Sequence, residues 1–230
     1  MGSAPPFDGP PPSALIVPHA GYLYSGPVAA AAYAASPRVS RVVLVGPAHF
    51  VPCEGMLLPG VGAMRTPLGD VPVDTEGEEL LGRHAVVGVD ARAHAPEHSL
   101  EVQLPFLQVL CPGFRVLPLL TGRVSYREAA EVIGSHLGDE ATLVVVSSDL
   151  SHYLDYESAR RRDERTAAAI VAGRPEALHH GDACGLTGIR ALVAAAAQRG
   201  MGARCLDVRN SGDTAGPRDR VVGYGAFAIG

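Results

Sequence analysis

The stretch RVVLVGPAHF, residues 41–50, decides how this chain reads. Val42 to Val45 form an aliphatic run with no polar alternation, which suits a strand covered on both faces. The run ends at Gly46-Pro47, and His49 follows directly after Ala48. A histidine at the exit of one buried strand is ordinary. It becomes informative if other metal-binding side chains leave other strands at the same end.

Three further runs share this character: ALIV (14–17), RVLPLL (115–120) and TLVVVS (142–147). Helical patterns lie between and after them, at GPVAAAAYAAS (26–36), SYREAAEVIGSHL (125–137), DYESARRRDERTAAAIVAG (155–173) and GLTGIRALVAAAAQRG (185–200). SLEVQLPFLQVL (99–110) spaces its leucines three or four apart, with Pro105 expected to kink the helix. MRTPLGDVPVD (64–74) reads as a hairpin, and VVGYGAFAIG (221–230) as a last strand. Alternating strands and helices predict an α/β fold, a single domain with a central, mostly parallel sheet flanked by helices on both faces. The expected boundaries are a flexible Pro-rich lead-in over 1–12 and one domain over 13–230.

Composition narrows the function. The chain has 230 residues, 47% of them hydrophobic, enough for one substantial core. A net charge of −5 and no basic face argue against nucleic acid as a partner. The one basic run, ARRRDER (159–165), is broken by acids and suits a solvated helix face. No apolar run approaches the roughly 20 residues of a membrane helix. The opening MGSAPPFDGPPPSA lacks the basic and apolar regions of a secretory signal. Cys53, Cys111, Cys184 and Cys205 are far apart and form no CxxC pair, which suits free thiols in a cytoplasmic protein.

Ligands of open α/β sheets sit beyond the C-terminal ends of the strands. PHAGYLYSG delivers His19 and Tyr22 after the first run, PAHF delivers His49 after the second, and SSDLSHY delivers Asp149 and His152 after TLVVVS. PEHSLE places His98 at a helix start with Glu97 beside it, and Cys184 precedes another helix, where the dipole favours a thiolate. His84, His94, His136, His179 and His180 read as surface residues. Two imidazoles and one anionic ligand make a metal site with open positions. With a carboxylate that is the pattern of non-haem Fe(II) enzymes; a thiolate is softer and also accepts Zn(II) or copper. His152 is placed for proton transfer near neutral pH, and Asp149 would orient its ring if 149–152 formed a helical turn. Neither a G-x-S-x-G elbow nor a Gly-rich phosphate loop is present.

The segments PHAGYLYSGPVAAAAY, VVLVGPAHF, RTPLGDVPVD, EHSLEVQLPFLQ, VVVSSDLSHY, ACG and SGDTAGPRDRVVGYGAFAI together resemble the Memo family, in order over residues 13 to 230. Its prokaryotic members are called AmmeMemoRadiSam system protein B. The resemblance implies a fold similar to the LigB-like class III extradiol dioxygenases, where two histidines and a glutamate hold Fe(II). It implies metal ligands His49, His98 and Cys184, the cysteine standing where the dioxygenases have a carboxylate. It also implies His152 as the acid/base-like residue with Asp149 beside it, and His19 with Tyr22 lining a substrate pocket. Phe50 stands where some relatives carry a second histidine. The expected cofactor is a divalent metal ion, Fe(II) first, with copper or Zn(II) as alternatives. The expected function is a metal-dependent oxidoreductase acting on a small molecule or peptide with AMMECR-like and radical SAM partners. The alternative is a non-catalytic protein that reuses the old pocket to bind metal, a peptide or a partner.

Overall fold

The computed structural model describes residues 11–230. Most of the expected lead-in therefore lies outside the described residues. Eleven strands form among them: β1 (Ala14–Val17), β2 (Arg41–Pro47), β3 (Met56–Leu58), β4 (Ala63–Thr66), β5 (Gly69–Pro72), β6 (Val87–Val89), β7 (Arg115–Thr121), β8 (Thr142–Ser147), β9 (His152–Leu154), β10 (Ala203–Asn210) and β11 (Val221–Ile229). The helices are α1 (Tyr22–Ala34), α2 (Thr75–Leu81), α3 (Ala91–His94), α4 (Leu104–Leu110), α5 (Tyr126–Gly134), α6 (Tyr156–Val171), α7 (Leu186–Gln198) and α8 (Ser211–Thr214).

The main sheet runs β10-β11-β1-β8-β2-β7-β3-β6, with β9 paired to β11. Its centre, β1-β8-β2-β7, is parallel throughout, and β11 and β3 join that block antiparallel. The β4–β5 pair is the expected hairpin. Successive residues of the central strands point to opposite faces. Ile16, Val43, Val45, Leu117, Val144 and Val146 pack with α5, α6 and α7, while Leu15, Val17, Val42, Leu44, Val116 and Val145 pack with α1 and α4. Both sets are buried, which explains why these runs carry no polar alternation. The chain is thus a single-domain α/β protein with a mixed sheet whose parallel core is covered by helices on both faces.

Two helix expectations change. Helix α1 starts at Tyr22, not residue 26, because the Gly21 carbonyl accepts from the Tyr24 and Ser25 N–H groups. Pro27 therefore lies inside the helix. Pro105 kinks nothing: a short 3-10 turn, Glu101–Gln103, precedes α4, and Pro105 sits in the first turn of α4, where its missing N–H has no helical partner to lose.

The register of the parallel block positions the site. Val17 pairs with Ser147, Val45 with Val146, and Pro47 with Thr121, so β1, β8, β2 and β7 end nearly flush. Gly46 at the end of β2 lets the 97–100 segment come close. A Cβ there would stand 2.7 Å from Ser99 Oγ and 2.8 Å from Leu100 Cδ2. The substitution Gly46→Ala is expected to destabilise the protein by about 1–3 kcal/mol, the usual cost of overpacking a filled core. Denaturant unfolding of the variant against wild type checks it.

Candidate metal site

Each strand end delivers its residue to one place. His19 lies just past β1, His49 just past β2 and Asp149 just past β8. His98 arrives on the segment that Gly46 admits. Ser99 Oγ donates to the Pro47 carbonyl at 3.0 Å and ties that segment to the end of β2. The ligand atoms of His19, His49 and His98 all lie within 4.8 Å of one another. The rings of His49 and His98 stack with centroids 5.2 Å apart, and His19 stands edge-on to both. His19 is buried, His98 half-buried and His49 exposed, so the group opens to solvent on one side.

Cys184 stands beside the group, next to His19. Its Sγ lies 3.3 Å from His19 Nε2 and accepts from the Asp149 N–H at 3.3 Å. Gly185 makes that approach feasible: a Cβ there would meet Ser148 Cβ at 2.7 Å and the Ser147 carbonyl at 2.9 Å. Burial pushes the Cys184 thiol up, but hydrogen bonds from His19 and His49 outweigh it and bring the pKa down to about 6. Hydrogen bonding to Cys184 and then to Glu97 raises His49 to about 10.

Glu97 had no assigned part in the sequence reading beyond standing next to His98. In the structure it is the hub of the 97–99 segment. Its buried carboxylate accepts from His49 Nδ1 at 2.9 Å, from the His49 N–H at 2.6 Å, and from the N–H groups of His98 and Ser99. Burial opposes its charge, yet these donors hold its pKa down at about 2. A carboxylate can only accept here, so His49 Nδ1 carries a proton and Nε2 is the nitrogen turned away from Glu97. A carboxylate directly before a candidate ligand was the available signal.

Asp149 and His152 do not share a helical turn: residues 148–151 are irregular and His152 begins β9. The Asp149 carboxylate instead accepts from the N–H groups of His19 and Ala20 and shapes the loop after β1. His152 Nδ1 donates to the Leu150 carbonyl at 2.9 Å, leaving Nε2 free. This loop is anchored from behind by Asp163 of α6, which accepts from the Ser151 N–H. Burial pushes the Asp163 carboxyl up to about 6. Tyr153, next to His152, has φ of 61°, the only positive φ at a non-glycine among the described residues, and strain of this kind gathers at functional loops. Tyr22 lies at the start of α1, half exposed, its hydroxyl donating to the Val102 carbonyl. Among the histidines set aside as surface residues, His179 and His180 are exposed, while His84, His94 and His136 are half-buried, His94 through a bond to the Leu57 carbonyl. None of the five enters the cluster. All four cysteines are free thiols. No helix among the described residues is long and apolar enough to cross a membrane.

Comparison with known proteins shows the family and the fold. The family model described as "Memo-like protein" matches residues 5–228. A MEMO1 family protein of Aeropyrum pernix is 41% identical over 233 residues, covering 94% of this chain and 83% of its own length. One from Aquifex aeolicus is 37% identical, covering 93% and 84%. The crystal structure of uncharacterized protein JW3007 from Escherichia coli K12 superposes with a TM-score of 0.62 over 94% of this chain and 99% of that one. At 14% identity that likeness speaks for the fold alone.

The Glu97 environment makes a pH prediction. Its carboxyl titrates near 4.5 in the unfolded chain and at about 2 in the folded protein, so its stabilisation is complete above the first value and fades as pH falls toward the second. The stability advantage of wild type over Glu97→Gln is therefore expected to shrink steadily below about pH 4.5. Unfolding curves of both proteins across that range measure it.

Proposed function

The chain belongs to the Memo family, and we propose that it binds one divalent transition-metal ion between His19, His49, His98 and Cys184. The observation that carries this reading is the three-histidine group whose ligand atoms lie within 4.8 Å of one another. Nδ1 of His49 is engaged by Glu97, which leaves Nε2 for the ion, and such backing carboxylates are a regular feature of metal-bound histidines. Imidazoles and a thiolate suit Fe(II), Zn(II) or copper and not the oxygen-seeking Mg²⁺ or Ca²⁺. Fe(II) is the ion the dioxygenase resemblance points to.

We assign the site to oxidoreductase chemistry on a small molecule or peptide. Fe(II), when bound, would supply open coordination positions for a substrate oxygen and for O2. His152 serves as the proton acceptor through Nε2, since its Nδ1 proton is committed to the Leu150 carbonyl. Asp149 holds the loop that carries His19. Phe50, exposed and edge-on to His49 and His98, offers an apolar wall to a ring or a side chain. AMMECR-like and radical SAM proteins are the partners the system name of the prokaryotic members implies, and co-purification is the check on them. A second reading, metal and ligand binding without turnover, draws on Cys184: a thiolate beside the imidazoles makes a softer site than the carboxylate of a dioxygenase.

Protein purified without oxygen and without a His-tag is expected to carry stoichiometric metal, and a His49→Ala/His98→Ala variant to lose it. Equal metal content in the two would sink the proposal. Oxygen uptake with catechols and other diols separates the two readings, uptake supporting the enzyme and its absence the binding protein.

A further inference from the structure

His19 is fixed by a buried chain of hydrogen bonds that starts at Tyr33 on α1. Gln103 Nε2 lies 2.9 Å from the Pro18 carbonyl and 2.8 Å from Ser147 Oγ, and Gln103 Oε1 accepts from the Tyr33 hydroxyl at 2.9 Å. Ser147 Oγ is also 2.6 Å from the Ser99 carbonyl and 3.0 Å from His19 Nδ1. Gln103, Ser147 and Ser99 are fully buried, and Tyr33 and His19 nearly so.

Counting donors leaves one arrangement. A carbonyl only accepts, so the Gln103 atom facing Pro18 is the amide nitrogen, and its second proton goes to Ser147. Ser147 has one proton, and the Ser99 carbonyl takes it. The Ser147 oxygen therefore offers only lone pairs to His19, and Nδ1 must be the donor. The opposite tautomer would set two lone pairs against each other in a site without solvent, at the cost of a buried unsatisfied polar pair. Nε2 is then the atom left facing Cys184, His49 and His98.

We propose that Gln103 and Ser147 are positioning residues that hold a proton on His19 Nδ1 and fix the ring, so that Nε2 is the nitrogen turned to the metal. Glu97 does the same for His49. One imidazole is thus set by a charged acceptor on the open side and the other by a neutral relay on the closed side. The inference rests on His19 being a ligand, as in the function proposed above.

Imidazole ¹⁵N NMR of the full chain reads where the proton sits, and titration with Zn²⁺ alone reads affinity. In wild type, His19 Nδ1 is expected to carry a proton both without and with Zn²⁺. Ser147→Ala is expected to weaken Zn²⁺ binding roughly 10–100-fold while circular dichroism stays unchanged. Gln103→Leu is expected to weaken it too, with the double variant falling short of the sum because both act through one ring. A bare Nδ1 on His19 in wild type, or unchanged affinity in a folded Ser147→Ala, overturns the proposal. If Ser147→Ala does not fold, the wild-type spectrum decides. If wild type takes up no Zn²⁺, the metal reading itself fails, and the zinc-free spectrum still judges the tautomer.

Discussion

The register of the parallel ladder β1-β8-β2-β7 is the constraint on which everything else depends. Pairing Val17 with Ser147 and Val45 with Val146 brings the strand exits to one edge of the sheet. A slip by a single residue would turn each side chain to the other face and exchange the two halves of the core. The aliphatic packing against α5 and α7 on one side and α1 and α4 on the other forbids that slip. The hydrophobic core therefore sets where the imidazoles meet.

Gathering three imidazoles at one point is unfavourable once they are charged, and the surroundings answer this with negative groups. Glu97 stands behind His49, Cys184 beside His19, and Asp149 beneath the loop that carries His19. Their influence differs by position. His98 lies farther from Glu97, at 3.5 Å, and its pKa is lowered by partial burial and by the neighbouring His19. His49 is raised by the thiolate and the carboxylate. His98 is therefore the ring of the three whose surroundings favour the proton-free form a metal ligand needs.

Much of this was legible in the sequence. The four central strands are visible as unalternating aliphatic runs, because burial on both faces removes the need for polar residues. The strand-end rule then brought His19, His49 and Asp149 to one rim. His98 was legible only as a residue at a helix start, since its place depends on Gly46 admitting the Ser99 segment, a contact between positions far apart in the chain. Glu97 had only its place directly before His98 to mark it, and Ser147 and Gln103 could not be assigned from sequence. A serine at the end of an aliphatic run and a glutamine between leucines look like ordinary core margins, and their roles exist only through donors from other elements. The start of α1 differs from expectation for a local reason: Gly26-Pro27 reads as a start signal, and the capping carbonyl of Gly21 overrules it.

Crystals of metal-loaded protein, measured for anomalous scattering at the absorption edge of the ion, test the account most directly. It predicts a single peak at bonding distance, about 2.0–2.3 Å, from Nε2 of His19, Nε2 of His49, a ring nitrogen of His98 and the Cys184 sulfur. A peak elsewhere in the molecule, or a fully loaded protein whose three rings turn away from the ion, would contradict it.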